Sequence, residues 1–207
     1  MQTPAPDELV RLCQRTLPSD TRAFELLVSM YKERVYATAY RLMGDRQDAE
    51  DQAQEVFLKV YRGIRQLEDP AMFTSWVYRI TTNTCFDALS KRKRRPQTTS
   101  LTPSEDDDTR DEPRYADTRL PTPEQAVLRR ELWACLEKTL RELDETGRAA
   151  LILRDIEDRP YQEIADMLSV KLSAVKMRIH RARLAFQQLL EQVCPGMKQI
   201  GSLGGDA

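Results

Sequence analysis

The sequence predicts an all-α protein in which two small helical domains are joined by an extended acidic linker, the second domain carrying a helix-turn-helix. Apolar side chains recur every three to four residues through both halves of the chain, which is the period of an amphipathic helix. No segment of useful length alternates apolar and polar residues, so no sheet is expected. Between the two periodic halves, residues 96–122 are polar, acidic and rich in proline.

The composition suits a folded chain without a membrane span. Of 207 residues, 41% are hydrophobic and 31% are charged, which is enough apolar material for packed cores. The start of the chain lacks a basic segment followed by an apolar run, and the longest clean apolar stretch is residues 149–153. We therefore expect neither a secretory signal nor a membrane helix, and we predict a cytoplasmic protein.

Few residues could support catalysis or bind a metal. His180 is the single histidine, and the chain has no glycine-rich phosphate loop, no GxSxG elbow and no HExxH motif. The four cysteines, at positions 13, 85, 135 and 194, form no CxxC pair, so we expect four free thiols in a reducing compartment. The sequence thus predicts no enzyme, no catalytic residue, no metal site and no cofactor.

The N-terminal domain is predicted to span residues 1–95 and to contain three long helices. The first helix carries one continuous apolar face and ends near Gly44, a residue suited to a helix C-terminus. Asp45 is placed to cap the second helix. The third helix covers residues 72–90 and continues into a basic run at 91–95, after which a proline stops it.

Two surfaces of this domain are candidates for function. One side of the second helix is acidic and amide-rich, which suits docking on a basic partner helix, although such a face is also typical of a solvated helix. The third helix combines aromatic side chains with cations and an amide, which suits stacking on unpaired bases. Trp76 taken alone is expected to be a core residue. The acidic surface consists of Asp48, Glu50, Asp51, Gln54 and Glu55.

Residues 96–122 are predicted to form a flexible linker between the domains. This segment of 27 residues holds four prolines and seven acids against three arginines, a local net charge of −4. Such a composition cannot bury enough apolar surface to offset its ordering entropy. Fully extended, the linker could span at most about 90 Å. The glycine-rich tail, residues 195–207, is expected to be disordered.

The C-terminal domain, residues 123–194, is predicted to hold a leucine-striped helix followed by a helix-turn-helix. The leucine stripe begins at Leu128. Residues 161–168 suit a two-turn helix, Ser169 begins a tight connection, and a long helix starts at Leu172. In a helix-turn-helix, the second helix of the pair lies in the major groove of DNA.

The second helix of this pair concentrates positive charge. Between Lys171 and Arg183 the sequence has five basic residues and no acid, and a polyanionic partner would relieve their mutual repulsion. Four side chains lie on the helical wheel opposite the apolar Val175 and Ile179, and we predict that they face the groove: Lys176, Met177, His180 and Arg181. The alternative is a helical hairpin with a solvated basic face.

Three segments resemble, in the same order, the functional segments of one known family. Residues 44–57 (GDRQDAEDQAQEVF) resemble the core-polymerase-binding segment of bacterial sigma factors. Residues 76–84, with WVYRI followed by NT, resemble their minus-ten-reading segment. YQEIA at 161–165, together with VKMRIHRAR at 175–183, is similar to their minus-thirty-five-reading segment. With two domains and one linker, the chain resembles the extracytoplasmic-function (ECF) subgroup over residues 7–194.

The resemblance implies a transcription initiation factor that gives RNA polymerase its promoter specificity and helps to melt the minus-ten region. The residues implied to bind the core polymerase are Asp48, Asp51, Gln54 and Glu55. Those implied to contact minus-ten DNA are Trp76, Tyr78, Arg79, Asn83, Lys91, Arg92 and Arg94. Those implied to contact minus-thirty-five DNA are Lys176, Met177, Arg178, His180 and Arg181. The loop of residues 66–73 would hold a base flipped from the non-template strand, with Asn83 beside it.

The implied partners are the RNA polymerase core enzyme, promoter DNA and an anti-sigma factor that keeps the chain inactive. The free chain is expected to be monomeric, and its acidic linker would thread the polymerase cleft. Two features depart from the family: residues 67–71 lack the usual basic and glycine residues, and Met177 replaces a small polar residue. Two alternatives stay open, a helix-turn-helix regulator that acts without polymerase and a helical adaptor that never touches DNA.

Overall fold

The computed structural model describes residues 4–94 and 123–195, and within these ranges every regular element is helical, as predicted. The predicted linker, and all of the predicted tail except Pro195, lie outside the described residues. Short helical turns follow α3 at residues 64–66, precede α4 at 70–72 and follow α6 at 152–156. The α-helices are α1 (Pro6–Thr16), α2 (Arg22–Met43), α3 (Arg46–Gly63), α4 (Phe73–Arg94), α5 (Pro123–Glu142), α6 (Glu145–Leu151), α7 (Tyr161–Met167) and α8 (Leu172–Val193).

The N-terminal domain packs α1, α3 and α4 around α2. The predicted helix boundary is confirmed: Gly44 ends α2 with a φ of +76°, a left-handed conformation that glycine adopts without strain. The predicted cap of α3 is also confirmed, because the Asp45 side chain accepts a hydrogen bond of 2.8 Å from the Asp48 amide. The buried core of this domain includes Leu27, Tyr31, Val35, Val56, Val60, Ile64, Phe73 and Val77.

The connection between α3 and α4 is held in place by side chains. The Gln14 amide on α1 donates to the carbonyls of Ile64, at 3.1 Å, and Leu67, at 2.8 Å. Asp69 then caps the short turn before α4 by accepting a 2.9 Å hydrogen bond from the Ala71 amide. The loop at the start of α4 is therefore anchored at both of its ends.

The C-terminal domain packs α5, α6 and α7 against α8. Gly147 leaves room for the cap of α6, because a Cβ there would lie 2.6 Å from the Asp144 Oδ1 atom, whereas the Ala182 Cβ on α8 would be at an ordinary contact distance of 3.4 Å. Ser169 adopts a φ of +53° in the turn between α7 and α8, a left-handed conformation that glycine adopts with less strain. The predicted leucine stripe is buried at Leu140 and Leu143, whereas Leu128 is 52% exposed.

The two domains pack against each other, which the sequence patterns did not anticipate. Glu157, just after the 152–156 turn, enters the N-terminal domain, where it accepts hydrogen bonds from the hydroxyls of Tyr78 and of Thr38, the latter at 3.3 Å. The buried Arg41 guanidinium lies 3.9 Å from the same carboxylate. Helix α4 contacts α7, and α2 contacts α5 and α6. The interface therefore combines this polar contact with apolar packing, since Leu42 and Cys85 share one buried cluster with Ala149 and Ile152.

Arg148 on α6 contributes a second buried contact between the domains. Its Nη1 donates a 2.7 Å hydrogen bond to the Leu42 carbonyl at the end of α2. Its Nη2 donates to the carbonyls of Arg141, at 2.7 Å, and Leu143, at 3.0 Å, at the end of α5. One guanidinium thus satisfies terminal carbonyls of two helices, which have no partner within their own helix.

The expectation of four free thiols is wrong for two of the cysteines. Cys135 on α5 and Cys194 after α8 form a disulfide, because the packing of α5 on α8 brings their Cα atoms to 6.3 Å. Cys13 and Cys85 are free and buried, as the sequence suggested.

Candidate nucleic-acid interface

Helix α8 presents the predicted groove-facing side chains to solvent. Lys176, Met177, His180 and Arg181 are all exposed, and Arg178 is half-buried. Val175 and Ile179 on the opposite side are fully buried against the rest of the C-terminal domain. The helical-wheel assignment of this helix is therefore confirmed, and its outward side carries three cationic or titratable side chains beside one thioether.

Arg183 belongs to the same basic run, but its side chain is bound by an acidic residue of the same protein. Its guanidinium makes a two-point contact with Asp155, with Nε to Oδ2 at 3.0 Å and Nη2 to Oδ1 at 2.5 Å. These hydrogen bonds, which the guanidinium donates to the carboxylate, raise the pKa of Arg183 further above its ordinary value. The pair ties α8 to the 152–156 turn and offsets one positive charge of the basic face.

Helix α4 exposes part of the predicted minus-ten set. Arg79, Asn83, Lys91 and Arg92 reach solvent, while the side chain of Arg94 lies outside the described residues. Trp76 is half-buried and packs closely on Gly63, where a Cβ would lie 2.9 Å from the indole ring. The core interpretation of Trp76 is thus partly correct, since one side of the ring is packed and the other borders a cleft.

Tyr78 is the member of this set that the structure places away from solvent. It is 1% exposed, and its hydroxyl donates to the Glu157 carboxylate. Burial raises the pKa of the Tyr78 hydroxyl, and the neighbouring Glu157 carboxylate raises it further. While the domains are packed together, Tyr78 cannot contact a nucleic acid, because the C-terminal domain covers it.

A cleft of about 720 Å³ separates the start of α4 from the helix-turn-helix. The N-terminal domain lines it with Leu67, Met72, Ser75, Trp76 and Arg79, and the C-terminal domain closes it with residues between Glu163 and Lys171. The Ser75 hydroxyl donates to the Glu163 carboxylate across the cleft. The loop predicted to hold a flipped base opens into this cleft, but Asn83 is not among the lining residues.

The predicted polymerase-binding face lies on the outer side of α3. Asp51 and Gln54 are exposed, and Asp48 and Glu55 are half-buried. The Arg92 guanidinium on α4 contacts Asp48 at 3.1 Å, so the acidic face adjoins the basic end of α4. Such an exposed ion pair is weak, on the order of 0.5 kcal/mol, and leaves both side chains free to change partner.

The sequence patterns missed Ser75, Glu157, Glu163 and Arg148, which connect the domains. Nothing in a helical period marks a polar residue whose partner lies in another domain. Over the described ranges, 4–94 and 123–195, no cluster of three potential metal ligands occurs. No helix in the same ranges is long and apolar enough to cross a bilayer.

Comparison with known proteins gives consistent matches across both domains. The family model of sigma-70 region 2 matches residues 27–95, and that of sigma-70 region 4 matches residues 133–186. The chain is 36% identical over 181 residues to the RNA polymerase sigma-H factor of Pseudomonas aeruginosa, covering 87% of this chain and 93% of that protein. It is 32% identical over 174 residues to the ECF RNA polymerase sigma factor SigW of Bacillus subtilis, covering 84% of this chain and 92% of that protein.

Two solved structures share the fold. CnrH, in complex with the cytosolic domain of CnrY, superposes with a TM-score of 0.63 at 24% identity, covering 91% of this chain and 99% of that chain. The sigma factor RpoE of Bartonella quintana, in complex with the anti-sigma factor NepR, gives a TM-score of 0.59 at 20% identity, covering 81% of this chain and 96% of that chain. At these identities the likeness establishes the helical architecture.

Proposed function

Because this chain belongs to the extracytoplasmic-function sigma factors of bacterial RNA polymerase, we propose that it directs the core enzyme to specific promoters and initiates transcription there. It supplies recognition and strand opening, and the polymerase supplies the catalysis. It acts in the cytoplasm, where the polymerase works. A helix-turn-helix regulator that acts without polymerase is not favoured, because the matches extend over the N-terminal domain as well.

The exposed basic face of α8 is the observation that carries this proposal. Lys176 and His180, and likewise Met177 and Arg181, are four residues apart and form two parallel rows on one side of the helix. An α-helix fits the major groove, where lysine and arginine reach guanine edges or phosphates and a methionine can contact a thymine methyl group. These four residues, with Arg178 at the edge, are the proposed minus-thirty-five contacts.

The minus-ten contacts are proposed on α4 and the cleft beside it. Arg79 and Asn83 lie on its exposed side, and Lys91 and Arg92 continue towards its C-terminus, where they would track the upstream phosphates. The cleft between residues 67–72 and Trp76 offers an apolar wall on which a flipped base could stack. Tyr78 joins this surface only when the domains separate.

The two domains must separate if the protein is to contact the minus-ten and minus-thirty-five elements at the same time. The two elements lie about 25 base pairs apart, which is about 85 Å at 3.4 Å per base pair. Two domains of fewer than 100 residues each, in direct contact, cannot cover that distance, since such a domain has a radius of gyration of about 13 Å. A linker of 27 residues, whose full extension is about 90 Å, can bridge it.

The outer face of α3 is the proposed docking site for the core enzyme. Asp48, Asp51, Gln54 and Glu55 stand opposite the buried Ala49, Ala53, Val56 and Val60, so the side chains that hold α3 in the fold are not the ones that would dock. A basic partner helix is the complementary surface. We also propose that an anti-sigma factor binds the free, monomeric chain, by analogy with the complex of RpoE and NepR.

The test is runoff transcription with the polymerase core enzyme on a library of genomic fragments. We expect promoter-dependent products with the wild type, and about ten-fold fewer with Arg181→Ala, which removes a proposed base or phosphate contact. Arg15→Ala is the matched control, because Arg15 is also an exposed cation but lies on α1, in the other domain. Absence of any promoter-dependent product with the wild type would refute the proposal.

A gel shift distinguishes a sigma factor from a DNA-binding regulator that acts without polymerase. For a sigma factor, we expect a promoter complex that forms with core enzyme and is weak without it. A complex of the same affinity in the absence of core enzyme would instead identify an autonomous DNA-binding regulator.

A further inference from the structure

A pair of cysteines joins the first and last helices of the C-terminal domain. Cys135 lies in the middle of α5, and Cys194 follows the end of α8. Their Cα atoms are 6.3 Å apart, within the range that a disulfide spans without backbone movement. The 59-residue separation encloses α6, α7, the 152–156 turn and the whole of α8. A bond at this place therefore closes a loop around the entire helix-turn-helix.

The two cysteines differ from the other pair in access. Cys135 and Cys194 are half-buried, whereas Cys13 and Cys85 are both 0% exposed. Burial raises the pKa of the Cys13 thiol to about 11 and that of Cys85 to about 12. Because the thiolate is the species that reacts with disulfides, the buried pair has almost no reactive form near neutral pH. Oxidation is thus directed to the Cys135 and Cys194 pair.

The position of the pair matters for the behaviour of α5. This helix is the first of the C-terminal domain, and it packs on α8. Two of its apolar side chains are weakly packed, since Val127 is 54% exposed and Leu128 is 52% exposed. A covalent bond at Cys135 fixes α5 on α8 about two turns beyond these side chains.

We propose that Cys135 and Cys194 form a reversible redox clamp on the helix-turn-helix domain, closed by a low-molecular-weight disulfide such as glutathione disulfide. One thiolate of the pair attacks glutathione disulfide, forming a mixed disulfide and releasing one glutathione thiolate. The second thiolate attacks the protein sulfur of that mixed disulfide and displaces the second glutathione. Two electrons pass to the glutathione disulfide, and the two protons of the cysteines end on the two glutathiones.

The clamp goes beyond promoter recognition, because it makes the stability of the DNA-reading domain depend on the cellular thiol balance. In a reducing cytosol the two thiols are free and α5 opens more readily. When glutathione disulfide accumulates, the closed loop restrains the unfolded domain and the native packing of α5 on α8 is favoured. Its failure would leave the proposed function in transcription untouched, since the runoff assay can be run under reducing conditions.

The experiment compares the full-length chain in two redox states. Reduced protein is incubated at pH 7.5 in mixtures of glutathione and glutathione disulfide, quenched with acid, alkylated and mapped by mass spectrometry. We expect an intramolecular link between the Cys135 and Cys194 peptides with loss of two hydrogens, while Cys13 and Cys85 remain alkylatable after denaturation. We expect the melting temperature of the oxidised chain to rise by about 10 °C. Proteolysis within residues 123–134 should slow by about ten-fold or more.

Single-cysteine variants test whether these effects depend on Cys135 and Cys194. Cys135→Ser and Cys194→Ser should each abolish both the link and the rise in melting temperature. Cys13→Ala is the matched control and should retain both. Three results would overturn the proposal: no link at any glutathione ratio, a link that joins two chains, or an intramolecular link that leaves the melting temperature and the proteolysis unchanged. Because the main comparison uses one chain in two states, a variant that folds poorly does not decide the outcome.

Discussion

The Tyr78 hydroxyl donates a hydrogen bond to the Glu157 carboxylate across the interface between the two domains. Tyr78 lies on α4 within the proposed minus-ten surface, and Glu157 lies in the C-terminal domain that carries α8. The bond therefore ties one proposed DNA-reading surface to the domain that holds the other. In this arrangement the proposed minus-ten surface is partly covered, so we expect promoter binding to compete with the packing of the two domains.

Glu157→Gln should favour the open arrangement. The variant keeps the shape of the side chain but removes the charge that the buried Arg41 faces at 3.9 Å, which we expect to weaken the interface by about 1–3 kcal/mol. The radius of gyration from X-ray scattering should increase, and single-stranded minus-ten DNA should bind about ten-fold more tightly. Asp158→Asn is the matched control, since the Asp158 side chain is 91% exposed. An unchanged scattering curve would show that Glu157 does not hold the domains together.

Asp51→Arg should weaken binding to the polymerase core enzyme. Asp51 is an exposed residue on the acidic face of α3, and charge reversal replaces an attraction to a basic partner by a repulsion. We expect about a ten-fold loss of affinity in a pull-down or fluorescence titration, with no change in melting temperature. Glu33→Arg, an exposed acid on α2, serves as the control. Equal loss in both variants would point to overall charge and against a docking site at Asp51.

Asp155→Asn should release Arg183 for contact with DNA phosphates. The wild-type carboxylate holds this guanidinium through two hydrogen bonds at the edge of the basic face. With one more free cation and one less acid, affinity for duplex DNA should rise, and the slope of log K against log salt should become steeper by about 0.9. In the double variant Asp155→Asn, Arg183→Ala the steeper slope should disappear. A single-variant slope equal to that of the wild type would mean that Arg183 does not reach the duplex.

Stability should fall on the alkaline side because of the buried Cys85 thiol. Its pKa in the folded chain is about 12, above the ordinary value of 9.0 for an unperturbed thiol. Below pH 9 the thiol is protonated in both states, so this contribution to stability is complete. Between pH 9 and 12 only the unfolded chain loses the proton, and the free energy of unfolding falls by up to about 1.4 kcal/mol per pH unit.

Urea titrations at pH 7.5, 9 and 10 measure this loss. Cys85→Ala lacks the ionising group, so its stability should decline less steeply above pH 9 than that of the wild type. The difference between the two slopes isolates Cys85 from the tyrosines and lysines that ionise in the same range. Parallel curves for the two proteins would contradict the assignment.

Features set by neighbouring residues could be predicted from the sequence. Gly44 and Asp45 end one helix and cap the next, as their residue types suggest. The exposed positions Lys176, Met177, His180 and Arg181 follow in the same way, because helical period is a local property. The acidic face of α3 and the basic face of α8 could be predicted from the sequence for the same reason.

Contacts between residues far apart in the chain could not be predicted. Tyr78 and Glu157 are 79 residues apart, and Arg148 and Leu42 are 106 residues apart. Both contacts depend on how the two domains dock. The helical period of apolar residues within each domain carries no information about that docking. The pairing of the cysteines could not be predicted either, since four cysteines without a short motif allow several pairings or none.

Separation of the two domains removes the hydrogen bond that Arg148 donates to the Leu42 carbonyl. Its bonds to the carbonyls of Arg141 and Leu143 lie within the C-terminal domain, so the guanidinium departs with that domain. The Leu42 carbonyl then loses its donor at the negative end of a 22-residue helix. An incoming protein that offers a positively charged donor at this spot restores what the helix has lost, and a protein with an apolar side chain there must leave the oxygen unsatisfied.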